Sequence, residues 1–263
     1  MDVNFVAGLT AGAATTVVNH PLDVVKVKLQ LHRQPLRHLL SSLSWADYTR
    51  GIVPNLVGNV AAWGMYFGVY EYLKPVTKQY TPSDTASYVV SSTIAGVSTS
   101  VVTNPIWVIK TRMLGGDRHR HMLGLIKDMV VNEGVLSLWK GLVPSLFSVG
   151  QASLQFTIYD HGKKWVQRQH HRSQNTTYEH VYLSAGSKVA AMTIMYPAQV
   201  VKSRLQYQKV TTSMMQVVKQ VAAERAFYSG LSANLVRVVP ATTVTFVVFE
   251  SVKKWLEPKM EKI

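Results

Sequence analysis

One short pattern recurs three times in this chain and limits what it can fold into. Pro21-Leu22-Asp23-Val24-Val25-Lys26-Val27-Lys28-Leu29-Gln30 is the first copy. Pro105-Ile106-Trp107-Val108-Ile109-Lys110-Thr111-Arg112 is the second, and Pro197-Ala198-Gln199-Val200-Val201-Lys202-Ser203-Arg204-Leu205-Gln206 is the third. Their prolines lie 84 and 92 residues apart. A second pattern, aromatic-acid-x-x-Lys, falls between them at Tyr70-Glu71…Lys74, Tyr159-Asp160…Lys163 and Phe249-Glu250…Lys253, its acids 89 and 90 apart. Two interleaved motifs at a near-constant period imply one supersecondary unit used three times, with neighbours completing each other's core. The chain of 263 residues therefore reads as a single domain, 1–263, with repeats at about 2–80, 83–169 and 178–257.

The stretches between these motifs favour a membrane. Val3–Leu22, Gly51–Tyr70, Thr85–Ile109 and Gly141–Tyr159 contain no Asp, Glu, Lys or Arg. Each approaches the length a helix needs to cross about 30 Å of hydrocarbon. Mean hydropathy is only +0.07, so the evidence lies in distribution rather than in bulk composition.

Net charge is +14, a value that in a soluble protein raises nucleic acid first. Here the bases sit at the ends of the apolar runs and between them, as in Arg118-His119-Arg120-His121. That distribution suits anionic lipid headgroups and an anionic solute, and no nucleic-acid-binding consensus accompanies it. Cysteine is absent, which excludes disulfides and thiolate chemistry. No nucleophile–base pair, metal-ligand cluster or phosphate-cradling glycine loop appears, so no catalytic residue, metal or cofactor is expected. Nor does the start of the chain carry a secretory or transit pattern.

The expected helices run from about Asp2 to Leu31, Ile52 to Gln79, Ser83 to Leu114, Gly141 to Gln169, Tyr178 to Gln208 and Leu231 to Glu257. Pro21, Pro105 and Pro197 should kink the first, third and fifth, because proline removes a backbone donor and crowds the preceding turn. Gly8-x-x-x-Gly12 offers a smooth face for close helix contact. Shorter helices are expected near Leu36–Leu43, Met122–Asn132 and Met214–Ala223, suited to lying along a membrane surface.

Acid and Lys three residues apart share a helix face. A lone pair of this kind is normally a solvated ion pair, yet here each ends a membrane-length run. Three such helices around an axis make a ring of alternating charge that closes a pore by pairing and opens it by unpairing. The proline motifs make a second ring at the opposite end. Ionisable groups at membrane depth face a bundle interior or a water-filled cavity, so the two rings read as two gates.

In these motifs the chain resembles the mitochondrial carrier family, over residues 2–257. The proline motif fits fully in the first repeat, and aromatic-acid-x-x-Lys fits in all three. The acid-Gly and aromatic-base-Gly element fits fully only at Glu133–Gly141, and is degraded around Tyr48–Gly51 and Glu224–Gly230. The resemblance implies an all-α membrane protein: six tilted transmembrane helices in three pseudo-symmetric repeats, with short matrix-side surface helices. It implies alternating-access transport across the mitochondrial inner membrane, both termini facing the intermembrane space, and contact with cardiolipin.

The departures from the family pattern carry further information. Trp107 and Gln199 stand where the family usually has acids. By its cyclic pairing Asp23 meets Lys110, Lys26 faces Gln199 and Lys202 faces Trp107, so one ion pair remains in the matrix gate, with Gln30 and Gln206 as braces. Trp107 alternatively serves as an interfacial anchor. The cytoplasmic gate keeps Glu71, Lys74, Asp160, Lys163, Glu250 and Lys253, and is expected to be the stronger.

The family's solute positions fall on Gly58, Asn59, Ser148, Val149 and Arg237. Arg237, alone charged among them, suits carboxylate or phosphate through its fork, or else pairs with an acid or carbonyl of the protein. Lys188 shares the helical phase of Gln199 about 16 Å along the axis, which places it towards the cavity, unless it snorkels to an interface. Trp63, Phe67, Phe156 and Phe246 offer flat surfaces to a ring. The stretches Gly58–Phe67 and Gly230–Arg237, with Pro105–Arg112, are most similar to the folate and flavin nucleotide (FAD) carriers of that family. The expected solute is FAD or folate, the alternative a pyrimidine nucleotide or NAD. An anchor with a carrier fold and no transport is the reading of a different class.

Overall fold

The computed structural model describes residues 3–32, 34–81, 83–116, 122–169, 176–209 and 212–260. The basic loop 118–121 and the linker 170–175 lie outside them, as does the side chain of Phe246. The described chain is helical with no strand. Six long helices of 28 to 32 residues dominate: α1 (Val3–Leu31), α4 (Ile52–Tyr80), α5 (Asp84–Gly115), α7 (Leu142–Gln169), α8 (Thr177–Tyr207) and α10 (Leu231–Met260). Shorter helices α2 (Leu36–Ser42), α3 (Trp45–Thr49), α6 (Met122–Glu133) and α9 (Met214–Ala223) lie in the connections, and a 3-10 turn spans Val135–Trp139.

The most extensive helix contacts join different repeats. Helix α4 packs along α5, α7 along α8, and α10 returns to α1, which closes the three units into a ring. The starts of α4, α7 and α10 show how tightly. Gly51, Gly141 and Gly230 take φ of 71°, 75° and 80°, a left-handed conformation that costs glycine little. A Cβ at Gly230 would stand 2.9 Å from the Lys26 carbonyl oxygen, and one at Gly141 would stand 3.1 Å from that of Lys202. The residue before each proline then holds the carbonyl preceding the glycine. His20 Nε2 donates to Arg50 O (2.8 Å), Asn104 Nδ2 to Lys140 O (3.3 Å) and Tyr196 Oη to Ser229 O (3.0 Å). Three unlike side chains thus serve one threefold position.

Apolar and polar residues are distributed the opposite way from a water-soluble bundle. Val18, Val53, Val102, Ile194 and Val236 are each more than half exposed, whereas Asn19, His20, Asp23, Asn55, Asn104 and Asn234 are buried. A surface of contiguous apolar side chains around a polar interior suits a lipid environment, where backbone groups are satisfied within helices. Among the described residues, Leu231–Trp255 is the helix whose apolar window (mean hydropathy 1.6) is long enough on composition alone to cross a membrane. Polar residues on the inner faces of the others lower theirs.

Helices α2, α6 and α9 seat on α1, α5 and α8 just beyond their prolines. Leu39 packs with Val25 and Leu29, Leu125 and Met129 with Val108, Ile109 and Met113, and Val217 and Val221 with Val200, Val201 and Leu205. Of the expected apolar patch on α2, Leu39 is buried while Leu36 and Leu40 stay exposed. Charge clamps repeat the same geometry seven residues after each proline. Buried Arg112 binds Glu133 with both terminal nitrogens and donates Nε to Gln206 O at 3.0 Å. Arg204 binds Glu224 and donates Nε to Gln30 O at 3.0 Å, so each arginine caps the end of another repeat's helix. In the first repeat Lys28 stands there and reaches Asp47 at a looser 3.6 Å.

Gly8 and Gly12 depart from expectation. No heavy atom lies within 4 Å of a Cβ placed at either. They face an open chamber instead of a neighbouring helix, because α1 diverges from α4 at this end.

Candidate functional site

Asp23 gathers four helices at the proline end. Its Oδ2 accepts from Lys110 Nζ of α5 at 3.2 Å and from Asn55 Nδ2 of α4 at 3.2 Å, and its Oδ1 accepts from Arg237 Nη1 of α10 at 2.8 Å. The Asp23 and Lys110 side chains are 10% and 13% exposed, so water screens the attraction little. Asn55 also donates to His20 Nδ1 at 3.0 Å. With Nε2 donating to Arg50 O, that contact makes His20 the neutral Nε2–H tautomer. The expected single ion pair is therefore incomplete. Arg237 supplies a second cation, because the packing of α10 on α1 carries it to the same carboxylate.

Gln199 and Trp107 occupy the other two positions equivalent to Asp23, and they behave differently. Gln199 accepts from Lys26 Nζ at 3.3 Å and donates to Gln151 Oε1 at 3.1 Å, a neutral bridge between α1, α8 and α7. Trp107 offers no acceptor to a lysine. Its indole N–H donates to Thr103 Oγ1 at 3.2 Å, and Lys110 lies over its ring at 5.2 Å. Gln30 and Gln206 connect odd helices to one another. Gln30 donates to Tyr196 Oη and accepts from Ser203, while Gln206 accepts from Thr111. The charged pair itself receives no bond from either.

Two chambers lie beyond this layer. The larger, about 580 Å³, is bounded by α4, α5 and α7, with Ser148 and Val149 in its wall and Trp107 and Lys202 lining it as well. The second, about 570 Å³, lies among α1, α4 and Thr245 of α10, and Asn59 lines it. Trp63 is common to both and stacks on Phe67 with ring centres 5.6 Å apart. Gly58 is buried, and a Cβ there would meet Ile106 and Trp107 at 3.2 and 3.3 Å. Val149 fits against Gly96. Arg237 is engaged with Asp23 and Asn234. Lys188 is exposed in a cleft of about 420 Å³ with Thr242 and Phe249, which adjoins the second chamber through Thr245.

The far end carries the other charged motif. Asp160 pairs with Lys164 on its own helix at 2.6 Å, and Lys74 lies near the rings of Tyr70 and Tyr88. Among the described residues no ion pair joins Glu71, Asp160 or Glu250 to Lys74 or Lys163 of a neighbouring helix. Lys164 is the partner that the sequence motif did not single out, although i,i+4 spacing from Asp160 could have shown it. Asp47 was passed over too. Its signal was Ser44, whose capping box fixes Asp47 at the start of α3.

Two clamp acids outside the long helices have lowered pKa values. Burial alone would raise the Glu133 carboxyl, but hydrogen bonds from Arg112 and Lys140 hold it below its ordinary value. For Asp47, burial is likewise outweighed by the Ser44 amide and hydroxyl, with Lys28 and Arg50 adding to the effect.

Comparison with known proteins agrees with this layout. The family profile described as "Mitochondrial carrier protein" matches residues 3–81, 81–170 and 173–260. The mitochondrial FAD carrier protein of Saccharomyces cerevisiae is 33% identical over 295 residues, covering 94% of this chain and 95% of its own. The chloroplastic folate transporter 1 of Arabidopsis thaliana is 31% identical, covering 97% and 95%. The mitochondrial nicotinamide adenine dinucleotide transporter 1 of S. cerevisiae is 28% identical, covering 97% and 78%.

Proposed function

Because the chain belongs to the mitochondrial carrier family, whose members are transporters and not enzymes, we propose that it moves FAD across the mitochondrial inner membrane by alternating access. The six long helices span the membrane, the short helices lie on the matrix side, and both termini face the intermembrane space. The proline end is the matrix gate and the far end the cytoplasmic gate.

One observation carries this reading. Asp23 ties α1, α4, α5 and α10 together at one end, whereas no cross-helix pair among the described residues joins the acids of the far end to Lys74 or Lys163. An end fastened across four helices, opposite one where Asp160 pairs within its own helix, is the arrangement of a carrier loading from the second side. Trp63, Asn59, Ser148 and Val149 line the chambers between them. Arg237, Lys188 and Gly58 border this path, and release of Arg237 from Asp23 would free its fork for the solute.

Folate is the nearest competing solute, given the folate transporter among the relatives, with NAD or a pyrimidine nucleotide after it. A non-transporting anchor has no use for the retained acids and lysines of the far end. Cardiolipin would seat at the start of α7, where Trp139, Lys140 and Gly141 border a hollow of about 340 Å³. The free amides of a helix N-terminus attract anionic headgroups. Reconstitution in liposomes with labelled FAD, folate, NAD and pyrimidine nucleotides tests the proposal. Selective FAD uptake supports it, and no uptake of any of them sinks the transport reading.

A further inference from the structure

The layer at the proline end contains one carboxylate and four cationic side chains. Asp23 holds Lys110 and Arg237, and Gln199 holds Lys26. Lys202 has no hydrogen bond or ion pair among the described residues. The position that would supply its acid is Trp107, whose N–H is already committed to Thr103. Removing an ammonium from bulk water without a partner is costly, and the excess of positive charge around one acid adds repulsion. A cation kept at such a place calls for an anion from outside the chain.

The surroundings of Lys202 specify that anion. Lys202 lines the larger chamber together with Thr99 and Ser148, and with Thr103 and Ser145, whose hydroxyls already donate to Thr99 O and Gly141 O. Thr99 Oγ1 is buried and has no hydrogen-bond partner. Trp107, Trp63 and Tyr66 add flat aromatic walls, and the bond from Trp107 to Thr103 fixes the indole. Lysine binds phosphate or carboxylate as a point charge, so the choice between them falls to its neighbours. Two uncommitted hydroxyls in the same chamber wall suit the several oxygens of a phosphate better than the two of a carboxylate.

We propose that this chamber seats the phosphate of the solute on Lys202, with a planar heteroaromatic ring against Trp107, so that the solute provides the acid missing from the second repeat. The proposal rests on the carrier reading and deepens it. Lys202 becomes the anion anchor, while Arg237 remains tied to Asp23 until the closed end opens. The ligand class is a phosphate ester of a planar ring, in preference to a carboxylate such as folate.

Purified protein in detergent, titrated with FAD, FMN, riboflavin and folate, tests this. Wild type should bind FAD and FMN at least about tenfold more tightly than riboflavin. Lys202→Gln should remove that preference, and Lys202→Arg should retain most of it. Trp107→Asp gives Lys202 an internal partner and should also abolish the preference, which provides a second reading if Lys202→Gln does not fold. A folded Lys202→Gln or Trp107→Asp protein with an undiminished phosphate preference overturns the proposal. So does a wild type that binds folate best or none of the four probes. Lys202-dependent binding without uptake in liposomes would instead sink only the transport reading.

Discussion

The two ends of this molecule carry charged motifs of equal regularity in sequence and arrange them in opposite ways. At the proline end two of three acids are replaced, yet α1, α4, α5 and α10 are fastened together through the one that remains, Asp23. At the far end all three acids and three lysines are present, and the pairing of Asp160 is internal to its helix. The number of charges in a motif therefore does not predict how firmly that end is closed. In this state a shielded carboxylate with three donors fastens one end, whereas Asp160 and Lys164 at the other are far more exposed.

Removing that carboxylate should have the largest effect. Asp23→Asn should cost about 3–5 kcal/mol, because Lys110 and Arg237 are left without their partner in a shielded site. In a thermal melt that is a fall of roughly 10 °C. Glu71→Gln at the far end should leave the melting temperature nearly unchanged. Equal shifts for the two variants would break the comparison.

The coupling of Asp23 to Arg237 comes next. A double-mutant cycle with Asp23→Asn and Arg237→Gln should give an interaction energy of about 1–3 kcal/mol. Additive effects would mean that Arg237 contributes nothing to closure. Arg237→Ala should abolish uptake in liposomes while the protein still folds, and unchanged uptake would remove it from the solute path.

A smaller difference separates the clamps. Glu133→Gln leaves fully buried Arg112 without its carboxylate and should lower the melting temperature more than Asp47→Asn, which weakens the looser Lys28 and Arg50 contacts at 3.6 and 3.7 Å. The pH dependence follows from the lowered Glu133 pKa. Its stabilising contribution is complete above the ordinary value of 4.5 and is lost as pH falls through the lower folded value. A melt series below pH 4.5 should show wild type losing stability that Glu133→Gln has already lost. Parallel curves would contradict the assignment.

The smallest expected effect is a gain. Gln199→Glu gives Lys26 an ion pair in place of a hydrogen bond to an uncharged amide. It should raise the melting temperature by about 2–4 °C and slow uptake, because the closed end becomes harder to open. A drop in stability would show that the bridge from Gln199 to Gln151 matters more than the missing charge.

Much of this layout was legible in the sequence because its signals are local or periodic. Prolines and uncharged runs mark the helices, and the family's cyclic pairing, carried over by resemblance, puts Lys110 beside Asp23 and Lys26 beside Gln199. Which acid Arg237 pairs with was not legible, because Asp23 is 214 residues away, across the contact of α10 with α1. Asp47 stood outside the repeat pattern because it lies four residues before Gly51, whereas Glu133 lies eight before Gly141. Gly8 and Gly12 were misleading for a different reason. A small-residue face permits close contact, but the divergence of α1 from α4 leaves it lining a chamber. The state of the far-end charges could not be read from the motif, since one sequence serves both paired and unpaired arrangements.

Closure by Asp23 is tested most directly by access to the interior from each side. The natural chain has no cysteine, so Ser148→Cys in the larger chamber provides a single reporter. In proteoliposomes of known orientation, a membrane-impermeant thiol reagent should reach it from the far side and not from the proline side. Adding Asp23→Asn should raise labelling from the proline side at least about tenfold, for a barrier lowered by 1.4 kcal/mol or more, and Glu71→Gln should not. Unchanged labelling in the Asp23→Asn background, or an equal rise with Glu71→Gln, would contradict the account.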